Sequence, residues 1–289
     1  MTESVIADFM TDIVPDAATH AEPSRGRVVM SQQRLVLATD GEKTTIPIDG
    51  IFDIQLGRAP RGLEEFFEDT VTIGYRDPEN ASHVAVVEGA GETVDRFTKL
   101  LFKAVLNGTQ VLAKHPARRG GRVTEQSPTP ATLYVTDAAV EFRGDRSFTI
   151  AISTVTHFER ITRDFGKGEQ PVLSVRHVDG ADQLTTEVAL DSDSAMNVLG
   201  RFLRIEYQNL KDEFEKIDVT ADEIEALVSL YTAGPDANLA AVMGIDASRA
   251  QLLSNKLDEK DLVETKPDGL HLTSLGRLAV SNRIEDVNV

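Results

Sequence analysis

The chain has 289 residues, enough for two or three domains, and 41% of them are hydrophobic, so each domain can bury a core. It contains no cysteine, which excludes disulfides, a thiolate nucleophile and cysteine-ligated zinc or iron–sulfur sites. The formal net charge is −17, from 47 acidic and 30 basic side chains, so the field of the whole chain repels nucleic acid and anionic lipid.

The composition also indicates the solvent in which the chain works. Arginine outnumbers lysine by 20 to 10, and an acidic, arginine-rich, cysteine-free composition is expected in a concentrated-salt cytoplasm. The Debye length falls to about 3 Å near 1 M salt, so repulsion between surface carboxylates costs little there. An ordinary acidic protein is the alternative. The sequence has no apolar run near the roughly 20 residues that a bilayer needs and no signal-peptide pattern at its N-terminus. We expect a cytoplasmic protein without membrane insertion.

The first predicted domain, over 25–112, is a set of short strands closed by one helix, and it follows an N-terminal extension over 1–24. A tight hairpin is indicated at Asp40-Gly41. The period then changes to that of a helix, which ends at Asn107-Gly108. Strand patterns occupy 27–31, 34–37, 45–48, 51–54, 71–75 and 83–87.

The same order recurs about 105 residues later, over 131–217, so the chain contains an internal repeat. A sheet of short antiparallel strands plugged by a C-terminal helix resembles the PH-like or GRAM-like superfold, which hosts many functions. The segment between the copies, 113–130, is basic over 114–122 and is predicted to be a linker, with an anion-binding loop as the alternative. The apolar stripe of the second closing helix comprises Met196, Leu199, Leu203, Leu210 and Phe214.

Residues 218–289 predict a third domain of a different kind. Thr220 to Glu223 form a capping box, two further helices follow, and Lys266-Pro267-Asp268-Gly269 is a good hairpin turn. Helix, helix, helix and hairpin in this order are typical of a winged helix, whose third helix is expected to turn its leucines inward: Leu252, Leu253 and Leu257. The predicted fold class is therefore α+β, with two tandem PH-like/GRAM-like antiparallel β domains followed by a C-terminal winged-helix domain.

A winged helix suggests DNA binding, but its charge argues against it. Residues 218–289 hold 13 carboxylates and 6 lysines or arginines, and affinity for DNA comes largely from counterion release by basic groups. We therefore expect a protein-docking winged helix and no nucleic-acid partner. A DNA-binding transcription regulator with PH-like sensory domains is the alternative, and a lipid-docking PH protein, supported only by the basic stretch 118–122, is a third possibility.

The search for catalytic or metal-binding motifs finds none. The six histidines never show metal-ligand spacing, and no Gly-x-Ser-x-Gly, Walker or Gly-x-Gly-x-x-Gly motif is present. We expect structural roles for His157 and His177, and a core plug at Phe66-Phe67. The acidic clusters, at 64–69 and 191–193, are expected to serve capping and solvation. No catalytic, cofactor-binding or metal-binding residue and no cofactor are predicted, so the chain is not expected to be an enzyme.

Four stretches in their order give the chain a family resemblance: 25–31, 34–37, 46–54 and 257–276. With them the whole chain resembles the archaeal taxis adaptor CheF family, of haloarchaeal type. The resemblance implies a non-enzymatic, dimeric adaptor that connects the phosphorylated response regulator CheY to the switch proteins of the archaellum motor. It also implies contact with other taxis proteins at the cytoplasmic face of the motor. In the family, the region that docks the receiver lies toward the C-terminal domain.

The last helix, from Ser274 onward, carries two apolar stripes. At about 100° per residue, Val280, Ile284 and Val287 cluster nearly opposite the first stripe, which comprises Leu275, Leu278 and Ala279. A small winged helix can cover only one side of a terminal helix. The second stripe is therefore expected to be exposed and to dock the receiver, with burial in a homodimer or fraying of the terminus as alternatives. The basic residues beside it that could meet an acidic receiver are Arg277 and Arg283.

The net charge of −17 predicts a strong dependence of stability on salt. Screening of carboxylate repulsion should raise the melting temperature steeply between dilute buffer and about 1 M salt. Thermal melts over a potassium chloride series measure this, and a melting temperature that stays constant over that range would contradict the saline interpretation.

Overall fold

The computed structural model describes residues 3–17, 22–57, 59–89, 91–166, 168–179 and 182–287, with side chains for all of these except 284–287. The architecture is α+β, with two large antiparallel sheets followed by several C-terminal helices. The chain divides into two compact units. The first comprises Met1–Val111, Thr132–Asp137 and Leu190–Leu203, and the second comprises Leu112–Ala131, Ala138–Ala189 and Arg204–Val289. The region 218–289, expected to be a domain of its own, thus shares a unit with most of the second sheet.

The first sheet has seven strands in the spatial order β4-β3-β2-β1-β7-β6-β5. A short 3-10 turn, η1 (Ile48–Gly50), connects β4 to β5, and helix α1 (Glu92–Leu106) follows β7. Helix α1 buries an apolar stripe, and the ring of Phe97 lies 5.3 Å from that of Phe9 in the first strand. The strands are β1 (Val5–Val14), β2 (Ser24–Ser31), β3 (Arg34–Ala38), β4 (Lys43–Pro47), β5 (Ile51–Gly57), β6 (Thr70–Arg76) and β7 (Ser82–Glu88).

Strand β1 lies within residues 1–24, where the sequence predicted an extension without a place in the sheet. It pairs with β2 from Val5 to Ile13 and with β7 at its end, where Ile13 and Val14 face Val87 and Val86. Strand β1 is therefore the central strand of the sheet. Its acidic residues concealed it in the sequence, because Asp8 and Asp12 interrupt the apolar pattern. Both are paired across the sheet, Asp8 with Arg27 at 2.6 Å and Asp12 with Arg25 at 3.8 Å.

The second sheet repeats this order as β12-β11-β10-β8-β15-β14-β13, with the short β9 paired to β8. The 3-10 turn η2 (Ile152–Thr154) takes the position of η1, and helix α2 (Asp193–Phe214) follows the last strand as α1 does in the first copy. The internal repeat is thus present element by element. The strands are β8 (Thr109–Arg119), β9 (Arg122–Val123), β10 (Thr129–Val135), β11 (Ala139–Arg143), β12 (Phe148–Ala151), β13 (Val155–Asp164), β14 (Glu169–Asp179) and β15 (Asp182–Leu190).

Residues 113–130, expected to be a linker, instead form most of β8, all of β9 and the start of β10. The buried side chains of β8 include Ala113 and Ala117, which give a weak apolar signal between basic neighbours. Gly120 and Gly121 have φ of 54° and 77°, and this left-handed backbone, which favours glycine, makes the turn from β8 to β9. The basic stretch of the sequence is therefore a structured hairpin, with Arg118 opposite Val123.

The core of the second sheet holds a histidine that is 3% exposed, His177. Its Nε2 lies 3.0 Å from the Thr186 hydroxyl, and Nδ1 of His115 lies 2.7 Å from the same oxygen. His115 also stacks on the ring of Phe148 with centroids 4.0 Å apart. Burial, together with the neighbouring His115, lowers the pKa of His177 to about 4. Both imidazoles thus belong to the packed interior, as expected for His177.

The C-terminal region consists of three helices, a hairpin and a final helix. Thr220 caps the first helix as predicted: its hydroxyl accepts from the Glu223 N–H at 3.4 Å, and Glu223 accepts from the Thr220 N–H at 2.8 Å. These elements share one apolar cluster, to which Leu210 and Phe214 of α2 also pack. Their bounds are α3 (Ala221–Ala233), α4 (Leu239–Met243), α5 (Ala247–Glu259), β16 (Val263–Lys266), β17 (Gly269–Leu272) and α6 (Ser274–Val287). Within the described part of the chain, no helix has the length and apolar character to cross a membrane.

Burial of neutral His177 predicts a loss of stability in acid. The unfolded chain binds a proton at this residue below about pH 6.5, whereas the folded chain does so only near a pKa of about 4. The free energy of unfolding should therefore be unaffected by His177 above about pH 6.5 and should decrease toward about pH 4, by up to about 3 kcal/mol. Urea unfolding at a series of pH values measures this slope. His177→Gln should flatten it, and an unchanged slope in that variant would contradict the assignment.

Candidate functional site

The last helix, α6, does not present the exposed stripe that the sequence predicted. Val280 is 1% exposed and Ser281 is 2% exposed, so the expectation that Val280 lies on a free surface is wrong. Arg277 is half-buried and Arg283 is exposed. Ile284 and Val287 lie outside the residues whose side chains the structure describes.

The burial of Val280 has a clear physical cause. On one side α6 packs against α3 and β17, and it also packs against η2 and β13 of the second sheet. Val280 itself belongs to the apolar cluster of the C-terminal region, together with Leu275 and Ala279 of the same helix. The C-terminal region therefore buries both predicted stripes of α6 at this point, and η2 and β13 of the same compact unit cover a further part of the helix.

A groove of about 530 Å³ lies between α4, α5 and the hairpin turn from β16 to β17. Four alanines contribute to its walls, together with Leu239 and Leu270. Because these side chains are short, a partner's larger side chains can enter the groove and be surrounded on several sides. The alanines are Ala237, Ala240, Ala247 and Ala250.

Backbone contacts fix the shape of this groove. The Leu270 N–H donates to the Pro235 carbonyl at 2.9 Å, which holds the hairpin turn on the loop after α3. Gly269 has a φ of 135°, and a Cβ there would lie 2.0 Å from the Pro235 carbonyl oxygen, so only glycine permits this approach. Asn238 and Asp246 cap α4 and α5 by accepting from backbone N–H groups at 3.2 and 2.9 Å. The groove is therefore formed by ordered backbone.

The charges around the groove are unsuited to a nucleic acid. Its charged lining residues, Asp236 and Asp268, are both acidic. On α5, the guanidinium of Arg249 pairs with Asp222 at 2.7 Å, and the side chain of Gln251 donates to Asn255 at 2.9 Å. Arg249 and Gln251, which a DNA-binding helix would direct to phosphates and bases, thus have partners within the C-terminal region. The groove favours a partner that contributes apolar groups rather than phosphates.

Helix α5 also carries an apolar side chain that the sequence analysis assigned to the core. Leu253 and Leu257 are buried as predicted, but Leu252 is 56% exposed, so the expectation that it turns inward is wrong. Leu252 directly follows Gln251, whose side chain lines the groove. The helix buries only one stripe, and Leu252 lies about 100° around the helix from its buried neighbour Leu253. At about 100° per residue, Leu252 lies nearly opposite the α5 residues that line the groove, which are Ala247, Ala250, Gln251 and Ser254. It is therefore a separate exposed apolar side chain on the outer side of the helix, of the kind that protein-docking surfaces use.

The first sheet contains a histidine held between two carboxylates, which no motif in the sequence indicates. The imidazole of His83 lies between two carboxylates, with Nδ1 3.0 Å from Asp16 and Nε2 3.0 Å from Asp77. The hydrogen bond with Asp77, followed by that with Asp16, raises the pKa of His83. Burial and these carboxylates raise the pKa of the stacked Tyr75 to about 12. Both ring nitrogens are engaged, so this histidine links the ends of strands and contacts no nucleophile.

The other side chains that the sequence singled out have local partners or exposed positions. No group of three histidine or acidic side chains in the described residues could hold a metal ion. Phe67 is 6% exposed and packs with Leu63 and Ala59, as predicted for a core plug, whereas Phe66 is 48% exposed. His157 lies on β13 at 3.9 Å from Glu159, with nearly half of its side chain exposed.

Comparison with known proteins gives the family. The family model described as archaeal chemotaxis signal transduction system protein F matches residues 5–209. Taxis protein CheF2 of Halobacterium salinarum is 55% identical over 289 residues, which is 100% of both chains. Taxis protein CheF1 of the same organism is 23% identical over 248 residues, covering 84% of this chain and 82% of that protein. The resemblance found in the sequence is thereby confirmed, and the chain belongs to the archaeal chemotaxis signal transduction system protein F family.

Proposed function

We propose that this chain is a non-enzymatic adaptor of chemotaxis and phototaxis, which docks the phosphorylated response regulator CheY and relays the signal to the switch proteins of the archaellum motor. The observation that carries the proposal is the full-length relationship to a taxis protein, at 55% identity. The adaptor requires no cofactor. It works as a homodimer at the cytoplasmic face of the motor, where it meets other taxis proteins.

The topology supports a more specific assignment of the domains. Seven strands in the same order are common to both sheets, with the short β9 as an eighth strand in the second, and each sheet is followed by a helix, which fits a PH-like domain. Three helices, a two-stranded hairpin and a further helix fit a winged helix. Folds of both kinds host many functions, so the docking role rests on the surfaces described above rather than on the fold.

The surface that best suits the receiver is the exposed side of α5 that carries Leu252. Leu252 offers an apolar anchor at 56% exposure, and Val242 of α4 is a further exposed apolar side chain at 47%. This surface of α5, defined by Leu252, replaces the stripe of α6, since Val280 is buried. Arg283 is exposed and remains a candidate for a second contact, whereas Arg277 is half-buried.

The relay needs only a modest preference for one state of the receiver. Phosphorylation shifts the population of a receiver toward one surface conformation. An adaptor that binds this conformation more tightly converts phosphorylation into occupancy of the motor. Each 1.4 kcal/mol of differential binding changes relative occupancy by about tenfold. Such a preference can come from a few side chains at one docking surface.

Substitution of the exposed leucine tests the docking surface. Leu252→Asp should weaken binding of the phosphorylated receiver by about tenfold or more, because the apolar anchor is lost and a charge enters the interface. Isothermal titration calorimetry of the full chain against phosphorylated and unphosphorylated receiver, in concentrated salt, measures this effect. Wild type should prefer the phosphorylated form.

Met10→Asp is the matched control, since Met10 is an apolar residue of similar exposure, 52%, in the first sheet. It should bind the receiver as wild type does. Equal affinity of Leu252→Asp and wild type would exclude this surface, and equal affinity of wild type for both forms of the receiver would exclude the relay.

A gel shift on random DNA across a salt series separates the adaptor from a DNA-binding regulator, which would retard the DNA. Light scattering reports whether each variant keeps its oligomeric state.

A further inference from the structure

A cationic cleft opens in the second sheet at the hairpin from β8 to β9. The cleft measures about 210 Å³ and includes Lys114 and Arg118 of β8 together with Arg163 near the end of β13. Three cations around one small cleft are unexpected in a chain with a net charge of −17. The segment that supplies two of them was predicted to be a linker, so its position in a sheet strand is what brings them near β13.

Two of these cations have no partner within the described part of the chain. The side chains of Lys114 and Arg118 form no hydrogen bond or ion pair there, although 47 acidic residues are present in the sequence. Both side chains are half-buried. Their partial burial reduces screening by solvent, so the pair attracts an anion more strongly than two fully exposed cations would.

The third cation is held in place from within the sheet. The Arg163 Nε donates to Glu187 at 3.1 Å, and Glu187 is 5% exposed. The buried carboxylate orients the guanidinium, and its Nη1 also donates to the Thr162 carbonyl at 3.2 Å. These two bonds leave the N–H groups of Nη2 for a charge-assisted hydrogen bond to an anion. The other acidic residue of the cleft, Asp164, accepts from the N–H groups of Gly166 and Gly168 at 2.7 and 3.1 Å. The acidic groups of the cleft are thus engaged in its own structure.

The remaining walls of the cleft are apolar. Val123 of β9 is 67% exposed, and Pro128 and Phe165 line the same cleft. The buried Ala117 contributes a small side chain to the lining. A ligand that fits this site therefore carries negative charge together with at least one apolar group.

We propose that this cleft binds an acidic segment of a partner protein, with carboxylates on the three cations and an apolar side chain against Val123 and Phe165. A short segment senses mainly the local charge, because the Debye length is about 8 Å at 0.15 M ionic strength and only about 3 Å near 1 M salt. A nucleic acid or an anionic membrane would instead meet the acidic field of the whole chain. The site is independent of the receiver-docking surface, which is the exposed side of α5 that carries Leu252.

The test uses the full chain and a short fluorescein-labelled peptide in which glutamates flank one phenylalanine. The matched peptide has glutamine at every glutamate position. Fluorescence anisotropy at fixed ionic strength should show that wild type binds the glutamate peptide about tenfold more tightly than the glutamine peptide. Lys114→Glu with Arg118→Glu should abolish this preference.

The control variant makes the same change of charge elsewhere. Arg96→Glu with Lys99→Glu also reverses one arginine and one lysine, on the exposed side of α1, and should retain the preference for the glutamate peptide. Melting temperatures and receiver binding should be the same for both double variants, so a failure of this proposal is distinguishable from a failure of the adaptor function.

Two results would overturn the proposal. One is equal affinity of wild type for both peptides, and the other is an equal loss of affinity in both double variants, which would indicate an effect of net charge alone. Vesicles containing anionic lipid provide a further arm. Suppose that the vesicles bind wild type and the control variant but not Lys114→Glu with Arg118→Glu, and that neither peptide binds wild type. The cleft then recognises membranes and the proposal is wrong. Displacement of the labelled peptide by a second copy of the chain would assign the cleft to self-association and would overturn it as well.

Discussion

Backbone hydrogen bonding by the first strand holds each sheet together. In the first copy, β1 pairs with β2 along most of its length and with β7 at Ile13 and Val14, so it joins the strands β2 to β4 with the strands β5 to β7. Strand β8 has the same central position in the second sheet, between β10 and β15. Without this strand, each sheet would leave two inner edges of unpaired N–H and C=O groups. The closing helices and the cationic cleft depend on the frame that results.

Much of the fold could be predicted from the sequence, and the misses have one common cause. The sequence records local patterns directly. These patterns predicted the internal repeat, the strands after residue 25 and the helix caps. The central strands β1 and β8 are masked because Asp8, Asp12, Lys114 and Arg118 interrupt their apolar patterns. Asp8 and Asp12 form ion pairs with Arg27 and Arg25 of the next strand. These complementary charges were the signal in the sequence from which β1 could have been recognised. A partner of opposite charge on the neighbouring strand stabilises an acidic residue within a strand. The apolar alternation along a single segment takes no account of such a partner.

The surfaces were harder to predict because exposure depends on long-range packing. Val280 was assigned to a free stripe, but it packs in the apolar cluster that α6 shares with the other C-terminal elements. Leu252 was assigned to the core together with Leu253 and Leu257, but of these three leucines the helix buries only Leu253 and Leu257. The grouping of His83 with Asp16 and Asp77 joins residues up to 67 positions apart, and no spacing in the sequence indicates it. For Val280 and His83, the deciding neighbours belong to other elements of the fold.

High net charge and concentrated salt together restrict how such a chain can recognise partners. Screening weakens attraction beyond about 3 Å near 1 M salt, so steering by long-range fields contributes little there. The interactions that remain effective in concentrated salt are hydrogen bonds and ion pairs at direct contact, together with apolar burial, which contributes about 25 cal/mol per Å². Both surfaces described above meet this requirement. Helix α5 presents the exposed Leu252, and the cleft of the second sheet sets an oriented guanidinium beside Val123 and Phe165. Recognition in this protein is therefore best sought where apolar walls surround a few directed polar groups, rather than in its abundant surface carboxylates.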